Sequence, residues 1–139
     1  MPVTDIPART AQRLRSSVRD LMRPGVITIV DSAPLTQAKR AMVRHDVHAV
    51  LVVATDTGRP LGWVTDRGLL RWLEHDMDHI AARHAITEPP HYIDADATAR
   101  EALEALAEPA VTHILVGDAG LPPQGVVAPL DLVELVTRP

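Results

Sequence analysis

Gly62-Trp63-Val64-Thr65-Asp66-Arg67-Gly68-Leu69-Leu70 reads as a strand that turns straight into a helix, and it returns as Gly125-Val126-Val127-Ala128-Pro129-Leu130-Asp131-Leu132. Gly62, Val64 and Leu69 fall on Gly125, Val127 and Leu132, 63 residues later. Upstream, Ala38, Met42, Val47, Val50 and Val52 fall on Ala102, Leu106, Val111, Ile114 and Val116, 64 later, so one deleted loop residue brings the series into register. Repetition at this period implies two copies of one supersecondary unit that bury their apolar faces together.

Working outward, Val26 to Val30 is a short strand run, and Asp31-Ser32-Ala33-Pro34 opens a helix with Leu35, Ala38 and Met42 at helical spacing. The continuous apolar run Ala49 to Ala54 predicts a strand covered on both faces. A turn at Thr55 to Pro60 leads to a strand from Leu61 to Thr65 and a helix from Asp66 to Leu73. The second copy starts near Tyr92-Ile93, shows a capping-box spacing at Thr98 to Glu101 before a helix from Ala102 to Ala107, and stops that helix at Pro109. Strands at Val111 to Val116 and Gly125 to Ala128, then a helix with Pro129 in its first turn, complete the match. The order is β-α-β-β-α, twice.

Two pieces connect the copies. Between Pro7 and Met22, Ala11, Leu14, Val18 and Leu21 share one helical face, which predicts an amphipathic leading helix ending at Pro24-Gly25. Glu74 to His84 reads as a charged, helical linker with a solvated face. The expected organisation is an N-terminal helical extension over 1–17, a first repeat over 18–74, a linker over 75–84 and a second repeat over 85–139.

Composition narrows the function. With 139 residues, 46% apolar and 23% charged, the chain is an ordinary globular one. The absence of cysteine removes thiolate metal sites and cysteine nucleophiles. No stretch approaches the roughly 18 apolar residues of a membrane span, and Met1 to Asp5 lacks the order of a signal peptide, so a cytoplasmic location is expected. A net charge of -4 and 2% aromatic residues argue against nucleic acid as a partner. Arg9, Arg13, Arg15, Arg19 and Arg23 make the leader locally basic, read here as a solvated helix face. His75 and His79 have the spacing of a shared helical metal site, yet no third ligand or accompanying glutamate is visible. No Ser/His/Asp order or phosphate-binding glycine loop appears, and no catalytic residues are expected.

The tandem unit, with Val18-Arg19-Asp20-Leu21-Met22 ahead of it and Gly62 to Leu70 at its close, resembles the cystathionine β-synthase (CBS) domain family over roughly residues 18–137. That resemblance implies an α/β (α+β) fold: two CBS repeats related by pseudo-two-fold symmetry, a Bateman-type module. It also implies two clefts for an adenosine-containing ligand such as AMP, ADP, ATP, NAD or S-adenosylmethionine, with no cofactor required.

The closing motif has a physical logic. Free N–H groups at a helix start favour phosphate, a hydroxyl on the turn supports it, and a carboxylate one turn on can hold a ribose diol. The first copy keeps Thr65 and adds Arg67, but Gly68 stands at the carboxylate position; the second keeps Asp131 but has Ala128 and Pro129 in place of the hydroxyl and a donor. A lost diol acceptor costs about 1–3 kcal/mol, roughly one to two decades of affinity. The resemblance further implies that Thr28, Ala49 and Val50 line the first cleft, and Tyr92, Thr112, His113 and Ile114 the second. Tyr92 either stacks on a base or fills space between sheet and helix. His113 is expected inside a strand, His45 as a partner of the helix C-terminal dipole and His48 at the surface.

The expected function is therefore a regulatory sensor that signals to an effector protein in trans, the alternative being an interaction scaffold with vestigial clefts. The closing helices are rich in large apolar residues (Leu69, Leu70, Trp72 and Leu73; Leu130, Leu132, Val133, Leu135 and Val136), more than one sheet face needs, and a homodimer is expected to bury the excess.

Overall fold

The computed structural model describes residues 6–138; Met1 to Asp5, read above for a leader signal, and Pro139 lie outside the described residues. The leading segment is not one helix. It forms α1 (Ala8–Arg13) and α2 (Val18–Leu21), followed by β1 (Arg23–Pro24). The break has a backbone cause: Val18 and Arg19 donate their N–H groups to the carbonyls of Ala97 and Ala95, while Ala99 and Arg100 donate back to Ser16 and Leu14. Those carbonyls and N–H groups are thereby withdrawn from a continuous helical ladder.

By internal contacts the chain forms two compact units, Val26–Pro90 and a discontinuous unit that joins the residues up to Gly25 with those from His91 onward. In Val26–Pro90 the elements are β2 (Thr28–Val30), α3 (Leu35–His45), β3 (Ala49–Val53), β4 (Pro60–Thr65) and α4 (Asp66–Leu69). The sheet order is β2-β3-β4, with β2 parallel and β4 antiparallel to β3. Central placement explains why β3 is an uninterrupted apolar run, with Ala49 to Val52 all buried. The closing helix is shorter than expected: α4 tightens into a 3-10 turn over Leu70–Trp72.

The expected solvated linker is instead part of this unit's core. It forms 3-10 turns at Met77–His79 and Ala82–Ala85, and Met77, Ala82 and Ala85 are buried with Ile29, Leu35, Ala38, Val50, Val52, Val64 and Leu69. Polar contacts fasten it: the buried Thr36 hydroxyl donates to Asp78 at 2.5 Å, Leu35 N–H to Ile80 O at 2.7 Å, and Ala82 N–H to Ala33 O at 2.8 Å. The charge of the segment hid a buried apolar face made by Met77, Ala82 and Ala85.

The discontinuous unit holds β5 (Tyr92–Ile93), α5 (Ala99–Leu106), β6 (Ile114–Val116), β7 (Gly125–Val127) and α6 (Pro129–Thr137). Its sheet order is β1-β7-β6-β5. Leu14, Val18 and Leu21 from the leader are buried with Ala95, Ala99, Ala102, Val116, Val127, Leu132 and Leu135. The leader thus completes the core of the second copy. Arg9, Arg15 and Arg19 are exposed, as a solvated face requires; Arg19 pairs with Asp96 at the surface at 2.5 Å, and half-buried Arg13 donates to the Leu135 carbonyl at 3.2 Å.

The two motif glycines do the same work. A Cβ on Gly62 would sit 2.4 Å from Ile86 Cγ2 and 2.7 Å from the Glu88 carbonyl, and one on Gly125 would sit 2.4 Å from the Arg23 carbonyl. Each glycine admits an extended segment against the last strand of its copy: Glu88 bridges Trp63, and Arg23 pairs with Val126.

Candidate functional site

In the first copy, strand register brings the expected residues to one end of a sheet. Ala49, the first residue of β3, pairs with Thr65, the last of β4; Val50 pairs with Val64, and Thr28 opens β2 opposite Leu51. Thr28 and Arg67 are exposed and Thr65 is half-buried, whereas Ala49 and Val50 are buried and offer backbone rather than side chain.

The helix start beside them is not an open anion cradle, and here the structure corrects the sequence reading. The Thr65 hydroxyl accepts from Gly68 N–H at 3.0 Å, the Asp66 carboxylate accepts from Arg67 N–H at 2.7 Å, and Asp66 N–H donates to the His48 carbonyl at 2.8 Å. Three first-turn donors are therefore already engaged. What remains for an anion is the exposed Arg67 guanidinium and the Thr65 hydroxyl proton, since that oxygen acts here as acceptor. His48 Nδ1 lies 2.9 Å from Asp66 Oδ2, so its imidazole, at the surface as expected, braces this turn.

In the second copy Tyr92 opens β5 opposite Leu115, and Ile114 opens β6 opposite Val127. Tyr92 is half-buried. Thr112 and His113 precede the strand instead of lying within it, half-buried and bonded to each other, Oγ1 to Nδ1, at 2.9 Å. Ile114 is fully in the core.

Asp131 is buried and doubly engaged. Its Oδ2 accepts from Ala128 N–H at 2.8 Å, its Oδ1 accepts from Arg23 Nε at 3.1 Å, and its side chain is 4% exposed. The two copies have divided a reciprocal capping box. The first keeps the hydroxyl that reaches forward to the backbone, the second keeps the carboxylate that reaches back. The divided motif first of all starts two helices.

What packs against the carboxylate position differs in step. In the first copy a Cβ on Gly68 would lie 3.1 Å from Thr65 Oγ1 and 3.2 Å from Thr87 Cγ2. Arg23 and Thr87 stand 64 residues apart, the repeat spacing, so Thr87 faces a glycine where Arg23 faces an aspartate. Sequence reasoning missed this pairing because Arg23 was read with the basic leader and Thr87, within the bounds of the second repeat, was given no role. The repeat offset itself was the signal that reaches both.

The other candidates resolve simply. His79 bonds Asp76 at 2.7 Å and His75 stands edge-on to Trp72 at 5.6 Å, so each imidazole has its own neighbour. Among the described residues no group of three or more His, Asp or Glu side chains is placed to hold a metal ion. His45 ends α3 with Arg44 in the last turn, where a partner for the helix dipole was expected. No described helix is long and apolar enough to cross a membrane.

The CBS domain model matches residues 18–75 and again 82–138. The chain belongs to the CBS domain family. It is a tandem CBS-domain protein, 30% identical over 104 residues to hypoxic response protein 1 of Mycobacterium tuberculosis, covering 73% of this chain and 72% of that one. The CBS domain of a bacterial CNNM/CorC family Mg2+ transporter in complex with ATP superposes with a TM-score of 0.79 at 21% identity, covering 92% of both chains. A CBS domain protein from Pyrobaculum aerophilum complexed with AMP does so with a TM-score of 0.75 at 20% identity, covering 88% of this chain and 100% of that one. At these identities the two structures establish the fold of the CBS pair; its two sheets, each flanked by helices, are the α+β repeats that the sequence implied.

Proposed function

We propose that this CBS pair is a non-catalytic, cytoplasmic regulatory module that accepts an adenosine-containing ligand and signals its bound state to an effector protein in trans. The observation that carries the reading is the convergence of Thr28, Ala49, Val50 and Thr65 at one end of the β2-β3-β4 sheet, with the Arg67 guanidinium exposed beside them. Relatives of the same fold complexed with AMP and ATP support the ligand class. Arg67 takes the phosphate, the Thr65 proton donates to phosphate or ribose, and the buried Ala49 and Val50 contribute backbone. In the second copy Tyr92, or the backbone of the core residue Ile114, stands near the base, Thr112 and His113 line the cleft, and Asp131 reaches a ribose diol only after Arg23 leaves it. The first copy is thus the readier site, although it lacks the diol acceptor, and affinities of AMP, ADP, ATP, NAD or S-adenosylmethionine are correspondingly weak.

Titration calorimetry with those five compounds tests this. Saturable binding that Arg67→Ala weakens supports the reading, and silence from all five at millimolar concentration removes it. Silence would favour a second reading, an interaction scaffold, to which the buried and ion-paired state of Asp131 already points. In either case the module is proposed to self-associate as a homodimer: Leu70, Leu73, Leu130 and Val133 stand 52–63% exposed on the segments that close the two repeats.

A further inference from the structure

Asp131 holds the acceptor that a ribose diol needs in the second copy, and its side chain is 4% exposed. Its Oδ2 is engaged by Ala128 N–H at 2.8 Å and its Oδ1 by Arg23 Nε at 3.1 Å. The carboxylate has lone pairs to spare but no open approach, so a group standing over it must move before a ligand hydroxyl arrives. Ala128 belongs to the backbone that starts α6 and is fixed there. Arg23, with its side chain 55% exposed, is already half in water and leaves at the smaller cost.

Arg23 lies on β1, a strand with few other holds. It is two residues long, Pro24 lacks an N–H, and Arg23, Pro24 and Gly25 are all exposed. Beyond its pairing with Val126 and Gly125, its end is fixed by Gly25 N–H on the Gln124 carbonyl at 3.1 Å. The preceding α2 is anchored differently, by buried Val18 and Leu21 and by the Val18 and Arg19 N–H groups on Ala97 and Ala95. Loosening at Arg23 is therefore confined to β1 and Gly25. That stretch runs directly into Val26, where the other unit begins, and is one of the two chain connections between the units. Near the other connection the residue at repeat spacing is Thr87, facing Gly68, so the first copy has neither the cation nor the carboxylate.

We propose that Arg23 is an autoinhibitory plug of the second site: a ligand diol that takes Asp131 expels it and releases β1, so that occupancy of the second copy is read out at the connection to the first. This rests on the nucleotide reading of that site and deepens it by assigning its regulation. Guanidinium and diol compete for one buried carboxylate, so their coupling is negative and reciprocal. A docked β1 weakens the ligand by the same factor as the ligand weakens docking. The first copy carries no such coupling.

The experiment joins calorimetry to residue-resolved amide exchange, with AMP as the probe, in the full chain carrying Arg67→Ala to weaken the first site. Adding Arg23→Gln should tighten AMP by about 5–150-fold, the usual range of coupling between sites. In the Arg67→Ala chain, saturating AMP should speed exchange of the Gly25 amide at least about fivefold while the Val18 and Arg19 amides keep their rates. With Arg23→Gln added, the Gly25 amide should exchange fast before AMP arrives and gain nothing from it. The exchange response of the chain that keeps Arg23 carries the test should Arg23→Gln not fold. Binding that appears only once Arg23→Gln is added supports a plug that is closed in the native chain. AMP that binds the Arg67→Ala chain without speeding Gly25, or that binds no tighter after Arg23→Gln, overturns the plug and leaves the nucleotide reading standing. AMP that binds neither chain overturns the plug together with the nucleotide reading of the second copy.

Discussion

Arg23 donates from Nε to Oδ1 of Asp131 across 3.1 Å, joining residues 108 positions apart, and it does so from a side chain 55% exposed onto one 4% exposed. The carboxylate is buried, and its cation is reachable from solvent. Such an ion pair differs from a surface one, because removal of the cation leaves a charge that water cannot easily repay.

Arg23→Ala should therefore destabilise the protein by about 1–2 kcal/mol, the lower range for a charged hydrogen bond whose donor is half in water. It should also uncover Asp131 for a ribose diol. The two effects separate in a thermal-shift series with and without AMP: a lower midpoint in buffer, and a larger ligand-induced rise than wild type. An unchanged midpoint in buffer would show that the pair contributes nothing.

Gly68→Asp restores the missing diol acceptor to the first copy, but its Cβ arrives 3.1–3.2 Å from Thr65 Oγ1 and Thr87 Cγ2. Combined with Thr87→Ser to open that contact, it should tighten AMP binding about tenfold or more in calorimetry, the counterpart of an acceptor worth about 1–3 kcal/mol. No gain would place the diol elsewhere.

Gly125→Ala should cost more than 2 kcal/mol in chemical denaturation, because the new methyl meets the Arg23 carbonyl at 2.4 Å and Met22 Sδ at 2.9 Å, and the flanking strand must detach to admit it. Gly58→Ala, by contrast, meets nothing within 4 Å and carries only the strain of its positive φ of 72°.

Leu132 and Leu130 should respond oppositely. Leu132 is 5% exposed in the core, so Leu132→Ala should cost about 2–5 kcal/mol, whereas Leu130, 53% exposed, should accept Leu130→Glu with its fold intact and lose dimer. Light scattering beside a melt distinguishes them. The sequence alone put both on one apolar helix and could not say which of them faced inward.

Asp31 holds its carboxyl below the ordinary value of 3.8, chiefly through the Thr55 hydroxyl at 2.5 Å, with Thr55 N–H and the charge of Arg83 assisting. A lowered folded-state value means that its stabilisation is present above the ordinary carboxylate range and lost as pH falls through the folded value. In Asp31→Asn the difference from wild type should thus shrink on acidification below about pH 4. A difference independent of pH would assign the effect to hydrogen bonding without charge.

Most of the β-α-β-β-α pattern was legible because its signals are local: the apolar run of Ala49 to Val53, the Thr98 cap that does accept from Glu101 N–H at 3.2 Å, and the motif repeated at Gly125. What was not legible depends on distant chain. The leader breaks at Ser16 to Arg19 because backbone partners at Ala95 and Ala97 outcompete helical ones, and no periodicity in residues 7–22 reports them. The candidate site was readable as residue types but not as free valences. Thr65, Asp66 and Asp131 are spent first on starting helices, a demand any helix makes.

The discontinuous unit sets an order of assembly. Val26–Pro90 is continuous and can gather its whole core as soon as it has left the ribosome. Leu14, Val18 and Leu21 are made earlier still, yet every other residue buried with them comes from Ala95 onward. Until synthesis passes Ala95 the amphipathic leader has no native surface to cover, and that surface is complete only with Leu135. Made before every residue it is buried with, it is housed only after them, and during that interval its apolar face is open to chaperones or to the wrong partner.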